Sequence, residues 1–275
     1  MTPTLIVQLS DPHVAAPGAL AYGRIDTSAC LARAITAVCG LERAPDAVLI
    51  SGDLVSDGKP EEYAHLRVLL AALRCPVYLL AGNHDDRSAM RAAFADFPGL
   101  SGNAEFVQYT ARIGDVRLVC LDTSVPGQAH GELCVKRLEW LEDTLSRAPG
   151  APTLVAMHHP PFRTHIGHMD RMGLRVGADA LRAVLGRHSQ VERVLCGHLH
   201  RSIQARFAHT IAQTAPSTAH QIHLTLMPDA AGAYVLEPPG FLLHVWDGQV
   251  GLVTHQVAID PAPGPYLFRP APPRG

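Results

Sequence analysis

The sequence has little charge of either sign. Asp, Glu, Lys and Arg make up 17% of its 275 residues, and the formal net charge is −2 with acidic and basic residues interspersed. There is no basic stripe to neutralise a phosphate backbone, which disfavours duplex nucleic acid as the main partner. The same shortage leaves a nuclease no groove along which to track a strand. No uninterrupted apolar run reaches membrane-spanning length, so no membrane partner is expected. The opening stretch "MTPTLIVQLSD" has no positive region ahead of its apolar residues and reads as a first strand, not a signal peptide. No CxxC spacing occurs among the six cysteines, Cys30, Cys39, Cys75, Cys120, Cys134 and Cys196. Scattered through mostly apolar segments, they read as reduced core residues of a cytoplasmic protein.

What the sequence does have is apolar content, 47%, enough for a substantial core and for one large α/β domain or a domain with a modest appendage. It also has 16 histidines, whose clustering carries more information than their number. "TLIVQLSD" (4–11) is a short apolar run ending in polar residues, and "DAVLISGD" (46–53), "PVYLLAGNHDD" (76–86), "PTLVAMHHPP" (152–161) and "VERVLCGHLH" (191–200) repeat that design. Runs of four to six Val, Leu and Ile suit strands buried on both faces. Helical patterns lie between them: one from Asp26 or Thr27 as cap, one opening on Pro60 with two glutamates, one in "SAMRAAFADF", one over 135–148 and one in "GADALRAVLGRH". "AEFVQYTARIGDVRLVCLDTS" predicts a hairpin through Gly114-Asp115.

Strands alternating with helices argue for an α/β sheet, where ligands gather at the carboxyl ends of the strands. All five strand ends carry candidate metal ligands. Asp11 and His13, like His198 and His200, are two apart, so in an extended segment each pair points one way and can grip one ion or two adjacent ions. Asp53 ends its strand behind Gly52, which permits close backbone approach. Asn83 and His84 follow a glycine. His158 and His159 are adjacent and should face opposite sides, so one of them is expected to be a ligand, with Pro160 holding His159 extended. Each motif alone has an ordinary reading as a turn or surface loop; five of them in order point to metal.

D-x-H, G-D, G-N-H-D, H-H-P and G-H-x-H, in this order, resemble the calcineurin-like metallophosphoesterases over residues 4–200. "YGRIDT", "GKPEEY", "AGNHDD", "MHHPPF" and "PSTAHQ" resemble one branch more closely, the class III cyclic-nucleotide phosphodiesterases and bacterial glycerophosphodiesterases. The resemblance implies a four-layer α/β/β/α sandwich around two metal ions. By it, Asp11, His13 and His200 would hold the first ion, Asn83, His158 and His198 the second, and Asp53 would bridge both. Oxygen and nitrogen donors without thiolate suit Mn, Fe, Co or Zn, as divalent or mixed-valence ions. Such ions acidify water and clamp a phosphodiester. About four positive charges, less two carboxylates and a hydroxide, leave about one, which a diester monoanion would neutralise.

The resemblance makes His84 the leading residue beside the ions, as proton donor to the leaving group or stabiliser of phosphoryl charge. Asp53 and His84 are the catalytic candidates, and Asn83, His84, His220 and Tyr22 the substrate contacts. His165, His168 and Asp170 are candidate pocket-wall residues, Asp85 a supporting residue or helix cap, and His159 structural. The implied activity is hydrolysis of small phosphodiesters, 3',5'-cyclic nucleotides or glycerophosphodiesters. A phosphomonoesterase or nucleotide pyrophosphatase is the second reading and a non-catalytic scaffold the third. Residues 1–208 are expected to form the core and 209–260 a β-rich completion of the sandwich. Within the latter, 223–241 form an apolar arm suited to a homodimer or higher homo-oligomer, and 261–275 an irregular tail.

Overall fold

The computed structural model describes residues 2–101 and 105–269; the end of the tail, 270–275, and the first residue of the predicted hairpin segment lie outside the described residues. The first half runs β1 (Thr4–Leu9), α1 (Thr27–Cys39), β2 (Ala47–Ile50), α2 (Pro60–Leu70), β3 (Val77–Leu79), α3 (Arg87–Ala93), β4 (Tyr109–Ile113) and β5 (Val116–Leu121). Then come β6 (Gly131–Glu132), α4 (Val135–Ser146), β7 (Thr153–Met157), α5 (Gly167–Asp170), β8 (Leu174–Val176), α6 (Ala178–Gly186) and β9 (Val191–Cys196). The chain closes with β10 (Gln204–Phe207), β11 (Thr210–Thr214), β12 (Gln221–Ile222), β13 (Tyr234–Val235), β14 (Gly240–Asp247) and β15 (Gly251–Ala258).

Helix ends follow local chemistry. Asp26 caps α1 by accepting from the Ala29 amide at 2.9 Å. Pro60 opens α2, and Glu62 folds back to accept from the Asp57 and Lys59 amides. Asp86 caps α3 through the Ala89 amide. Of the two roles expected for Asp85, support or cap, the cap falls to its neighbour Asp86.

Two sheets form. The first, ordered β15-β14-β1-β2-β3, has β1, β2 and β3 parallel with β14 antiparallel against β1. The second, β10-β11-β9-β7-β5-β4, has β11, β9, β7 and β5 parallel and antiparallel edges. Strand alternation sorts their side chains. Leu118, Cys120, Leu154, Ala156 and Leu195 turn inward and pack with β1, β2, β3 and the buried faces of α1 and α2. Val119, Leu121, Val155, Met157 and Val194 turn outward onto Leu141 and Leu145 of α4 and Leu181 and Leu185 of α6. Helix, sheet, sheet and helix layers result, the four-layer sandwich expected. The segment after residue 208 contributes β11 to the second sheet and β14 and β15 to the first.

Of the cysteines, Cys30, Cys120 and Cys196 are buried, while Cys39 is exposed and Cys75 and Cys134 are half-buried, so only three are core residues; all six are free. Among the described residues no helix is long and apolar enough to cross a membrane.

Candidate metal centre

The expected strand ends deliver their side chains by a route that period-2 alternation does not give. β1 stops at Leu9, β2 at Ile50 and β9 at Cys196, so Asp11, His13, Asp53, His198 and His200 all lie beyond their strands. Each takes a left-handed backbone, with φ of +50°, +44°, +49°, +70° and +51° respectively. The extended-pair geometry expected for Asp11/His13 and His198/His200 is therefore replaced by left-handed turns. For non-glycine residues these are uncommon and persist where the surroundings fix them. The rim is also shared: the loops after β1, β2 and β3 come from one sheet and those after β7 and β9 from the other.

Glycines make the convergence possible. Gly52, at φ +97°, packs against the His158 ring, where a Cβ would collide, and Gly82 leaves the same kind of room for the Asp53 carboxylate. Asp85 then locks the loops. Its carboxylate accepts from the Leu54 amide at 3.1 Å, the Gly82 amide at 2.8 Å and the Tyr63 hydroxyl at 2.9 Å.

Candidate ligand atoms of Asp11, His13, Asp53 and His200 lie within 4.8 Å of one another, all buried. His200 Nε2 is 3.1 Å from His13 Nε2 and 3.5 Å from Asp11 Oδ1. His200 Nδ1 donates to the His220 carbonyl at 3.0 Å, so its Nε2 faces the cluster as a lone pair. Asp53 Oδ2 is 3.6 Å from His13 Nε2 and 3.4 Å from His158 Nε2, which puts this carboxylate between the two groups. On the far side, His158 Nδ1 donates to the Ser51 carbonyl at 2.8 Å. Its Nε2, together with His198 Nε2 and Asn83 Oδ1, is buried without a hydrogen-bond partner among the described residues. Unpartnered buried acceptors are costly unless something electropositive satisfies them. His158 and His198, whose ligand atoms come within 4.8 Å of each other beside the Asp53 carboxylate, fit a metal ion, and Asn83, next in the chain to the His84 amide that holds Asp53, has the donor to join them.

His158, His159 and His198 also lie within 4.8 Å of one another. His159, however, uses Nδ1 toward Thr123 Oγ1 at 2.8 Å and Nε2 toward the Ala129 carbonyl at 3.3 Å. Both nitrogens are engaged, which fits the structural role expected for it.

Electrostatics favour ligation at three of the histidines, while Asp11 and His158 would give up a proton to a metal. Burial holds His198 down to about 3 and His200 to about 4, and pushes His13 well below the usual imidazole range. These rings are neutral and offer lone pairs, as a metal requires. Burial also raises the Asp11 carboxyl to about 7, an effect that the nearby His158 opposes. Burial favours neutral His158, but Asp53 outweighs it and lifts the ring to about 9. For Asp53 burial acts upward, while His158 and His84 hold the carboxyl well below its usual range.

A cavity of about 320 Å³ opens beside the clusters, lined by His13, Tyr22, Ser56, Lys59, His84 and His220 among others. His84 Nδ1 meets the Ser56 carbonyl at 2.7 Å, leaving Nε2 for the cavity, and the His84 amide donates to Asp53 Oδ1 at 2.9 Å. Burial disfavours the charged ring, Asp53 favours it, and the balance raises His84. Tyr22 and His220 meet edge to face at 5.3 Å. The other three wall candidates stand elsewhere. The Asp170 carboxylate accepts from Thr164 and His165 amides within its own loop, and His168 packs against Gly232. None of them lines this cavity.

Some supporting residues escaped the sequence reading. Ser10 donates to Asp11, Ser217 Oγ to the Asp11 carbonyl at 2.8 Å, and Ser51 carries the carbonyl that orients His158. The recurrence of serine ahead of aspartate in "LSD" and "ISGD" was the available signal. Tyr234, on the returning strand of the arm, stacks on Tyr22 at 4.7 Å, and nothing in the sequence marked that pairing.

A four-layer α/β/β/α core with adjoining His/Asp clusters at the shared rim of its sheets, positioned for a dinuclear metal site, defines a metallophosphoesterase-type protein. The chain belongs to the calcineurin-like phosphoesterase family, whose profile matches residues 4–202. It is 35% identical to a probable glycerophosphodiester phosphodiesterase of Arcobacter nitrofigilis, over 96% of each chain. It is 31% identical to the 3',5'-cyclic adenosine monophosphate phosphodiesterase of Escherichia coli, over 92% of this chain and 90% of that one. Among solved structures, a dimetal phosphatase from Danio rerio has the same fold, with a TM-score of 0.62 at 12% identity over 94% of this chain and 99% of that one.

Proposed function

We propose that this protein is a dinuclear-metal phosphodiesterase acting on small diesters, 3',5'-cyclic nucleotides or glycerophosphodiesters. The observation that carries the reading is the Asp53 carboxylate standing 3.6 Å from His13 Nε2 in one buried His/Asp cluster and 3.4 Å from His158 Nε2 in the other. Asp11, His13, Asp53 and His200 would hold one ion, and Asp53, Asn83, His158 and His198 the other. When bound, such ions polarise the phosphoryl group and acidify water. Donors limited to oxygen and nitrogen leave Mn, Fe, Co and Zn as candidates.

The chain's own groups do the rest. Asp53, ionised and anchored by the His84 amide, fixes the spacing of the two sites. His84, its Nδ1 pinned to Ser56, turns Nε2 to the cavity and gives a proton to the leaving alkoxide or stabilises phosphoryl charge. Tyr22 and His220 wall the cavity against one ester arm. The relatives named above as glycerophosphodiester and cyclic-nucleotide phosphodiesterases support the diester class. Exposed Leu224, Leu226, Met227 and Leu236 support pairing of the 223–241 arm in a homodimer or higher homo-oligomer. Free cysteines support a reducing, cytoplasmic setting.

The test is turnover by protein reconstituted separately with Mn, Fe, Co and Zn. The substrates are bis(p-nitrophenyl) phosphate, p-nitrophenyl phosphate, cyclic AMP and glycerophosphoethanolamine. Diester hydrolysis is expected. Turnover of the monoester alone would replace this reading with a phosphomonoesterase.

A further inference from the structure

One fully buried titratable side chain takes no part in the chemistry above. His244 sits on β14 at 0% exposure. Its Nε2 is 3.1 Å from Gln8 Oε1 and its Nδ1 2.9 Å from Thr254 Oγ1 on the edge strand β15. The far end of Gln8 fixes the amide's orientation. Its Nε2 donates at 2.9 Å to the Cys196 carbonyl and at 2.9 Å to Ser51 Oγ. A carbonyl only accepts, so Gln8 must turn its nitrogen to Cys196 and its oxygen to His244. His244 Nε2 therefore carries the proton, and Nδ1 accepts from the Thr254 hydroxyl.

Beyond Gln8, the Ser51 hydroxyl donates to Ser10 Oγ at 2.7 Å, with the Leu9 carbonyl a longer alternative at 3.3 Å. The Ser10 hydroxyl then donates to Asp11 Oδ2. Every donor runs the same way, from Thr254 through His244, Gln8, Ser51 and Ser10 to the carboxylate. Hydrogen bonds aligned head to tail in a dry interior strengthen one another. A side branch reaches across the sandwich: Gln8 lies on the first sheet, and the Cys196 carbonyl to which it also donates lies on the second. At its end, the Asp11 carboxylate is held from a second direction by the His198 amide, at 2.9 Å and 3.1 Å from its two oxygens.

We propose that His244 and Gln8 are positioning residues for Asp11, and that this one-way hydrogen-bond chain sets the affinity of the metal site to which Asp11 belongs. The inference rests on the reading of Asp11 as a ligand of one ion only. Outer partners of metal ligands commonly change affinity by about 10- to 100-fold. A merely structural histidine would lower thermal stability without separating the two sites.

The experiment titrates Mn(II) into the intact protein by calorimetry, with free Mn(II) counted by electron paramagnetic resonance and melting temperature recorded for each variant. Two binding steps in the unaltered protein, one of them weakened by Asp11→Asn, establish the underlying reading; their absence there strikes the proposed centre itself. Given two steps, His244→Phe is expected to weaken the Asp11-dependent step by about 10- to 100-fold and leave the other step in place. His244→Gln, whose amide can donate to Gln8, restores it. Thr254→Val, at the half-buried edge, weakens the same step by a smaller factor. Unchanged Mn(II) affinity in His244→Phe, or equal weakening of both steps, overturns the inference. Should His244→Phe not fold, an unchanged Asp11-dependent step in Thr254→Val overturns it.

Discussion

The two halves of the centre are built alike, from loops beyond strand ends, yet they differ in charge. The half formed by Asp11, His13, Asp53 and His200 contains both carboxylates. The other half has Asn83, His158 and His198, no carboxylate of its own, and reaches one only by sharing Asp53, whose charge raises His158 to about 9. A cation in the first half would be held by Coulomb attraction as well as by geometry. In the second it would depend on geometry and on the shared carboxylate. A site poor in charge, beside one rich in it, leaves net positive charge for an incoming phosphodiester anion.

The largest expected effect comes from removing what the halves share. Asp53→Ala should lose both ions by elemental analysis and drop turnover by at least about 10³-fold, since metal polarisation is worth several kcal/mol. Unchanged hydrolysis in that variant would eliminate the mechanism. Next, His84→Ala should lower kcat by about 10²- to 10³-fold, the usual loss for one charge-stabilising donor, with both metals retained. Simultaneous loss of metal would instead make His84 a structural support. Asn83→Asp asks whether charge or geometry separates the halves. An added carboxylate should tighten Mn(II) in the weaker step and leave the other unchanged, and equal affinities before and after would discard the charge argument.

The smallest effect lies outside the centre. Burial, aided by Arg193, holds His244 down to about 3. Its folded value is below the unfolded value of about 6.5. The neutral ring therefore contributes stability that is complete above about pH 6.5 and lost as pH falls toward 3, by at most about 1.4 kcal/mol per pH unit. His244→Gln should flatten that acid limb in urea unfolding between pH 4 and 7; an unaltered slope would mean that His244 is not held neutral.

The same contrast marks what was legible in the chain. Apolar runs ending in Asp, Asn or His exposed five strands and an α/β sheet, because buried strands and their ligand-bearing ends are written locally, whereas the four-layer core came only with the resemblance to metallophosphoesterases. Hidden was how the ligands turn. Left-handed backbone at Asp11, His13 and His198 has only a weak residue signature when glycine is absent, since Asp and His adopt it more often than other side chains but still seldom. Only packing against loops from the opposite sheet imposes it. The sequence left Asp85 open between support and cap, because aspartate before a helix suits either; its neighbour Asp86 takes the cap and Asp85 binds three donors. The Tyr22–Tyr234 stack and the His244–Gln8 bond join residues more than 200 positions apart, and no local pattern encodes such pairings.

The central claim is that one carboxylate, Asp53, joins two metal sites of unequal charge. Crystals of the Mn-reconstituted protein, measured at the manganese edge, test it directly. The account predicts two anomalous peaks about 3.5–4 Å apart, each in contact with Asp53, one beside Asp11 and the other beside Asn83. A single peak, or a pair that Asp53 does not bridge, would contradict it.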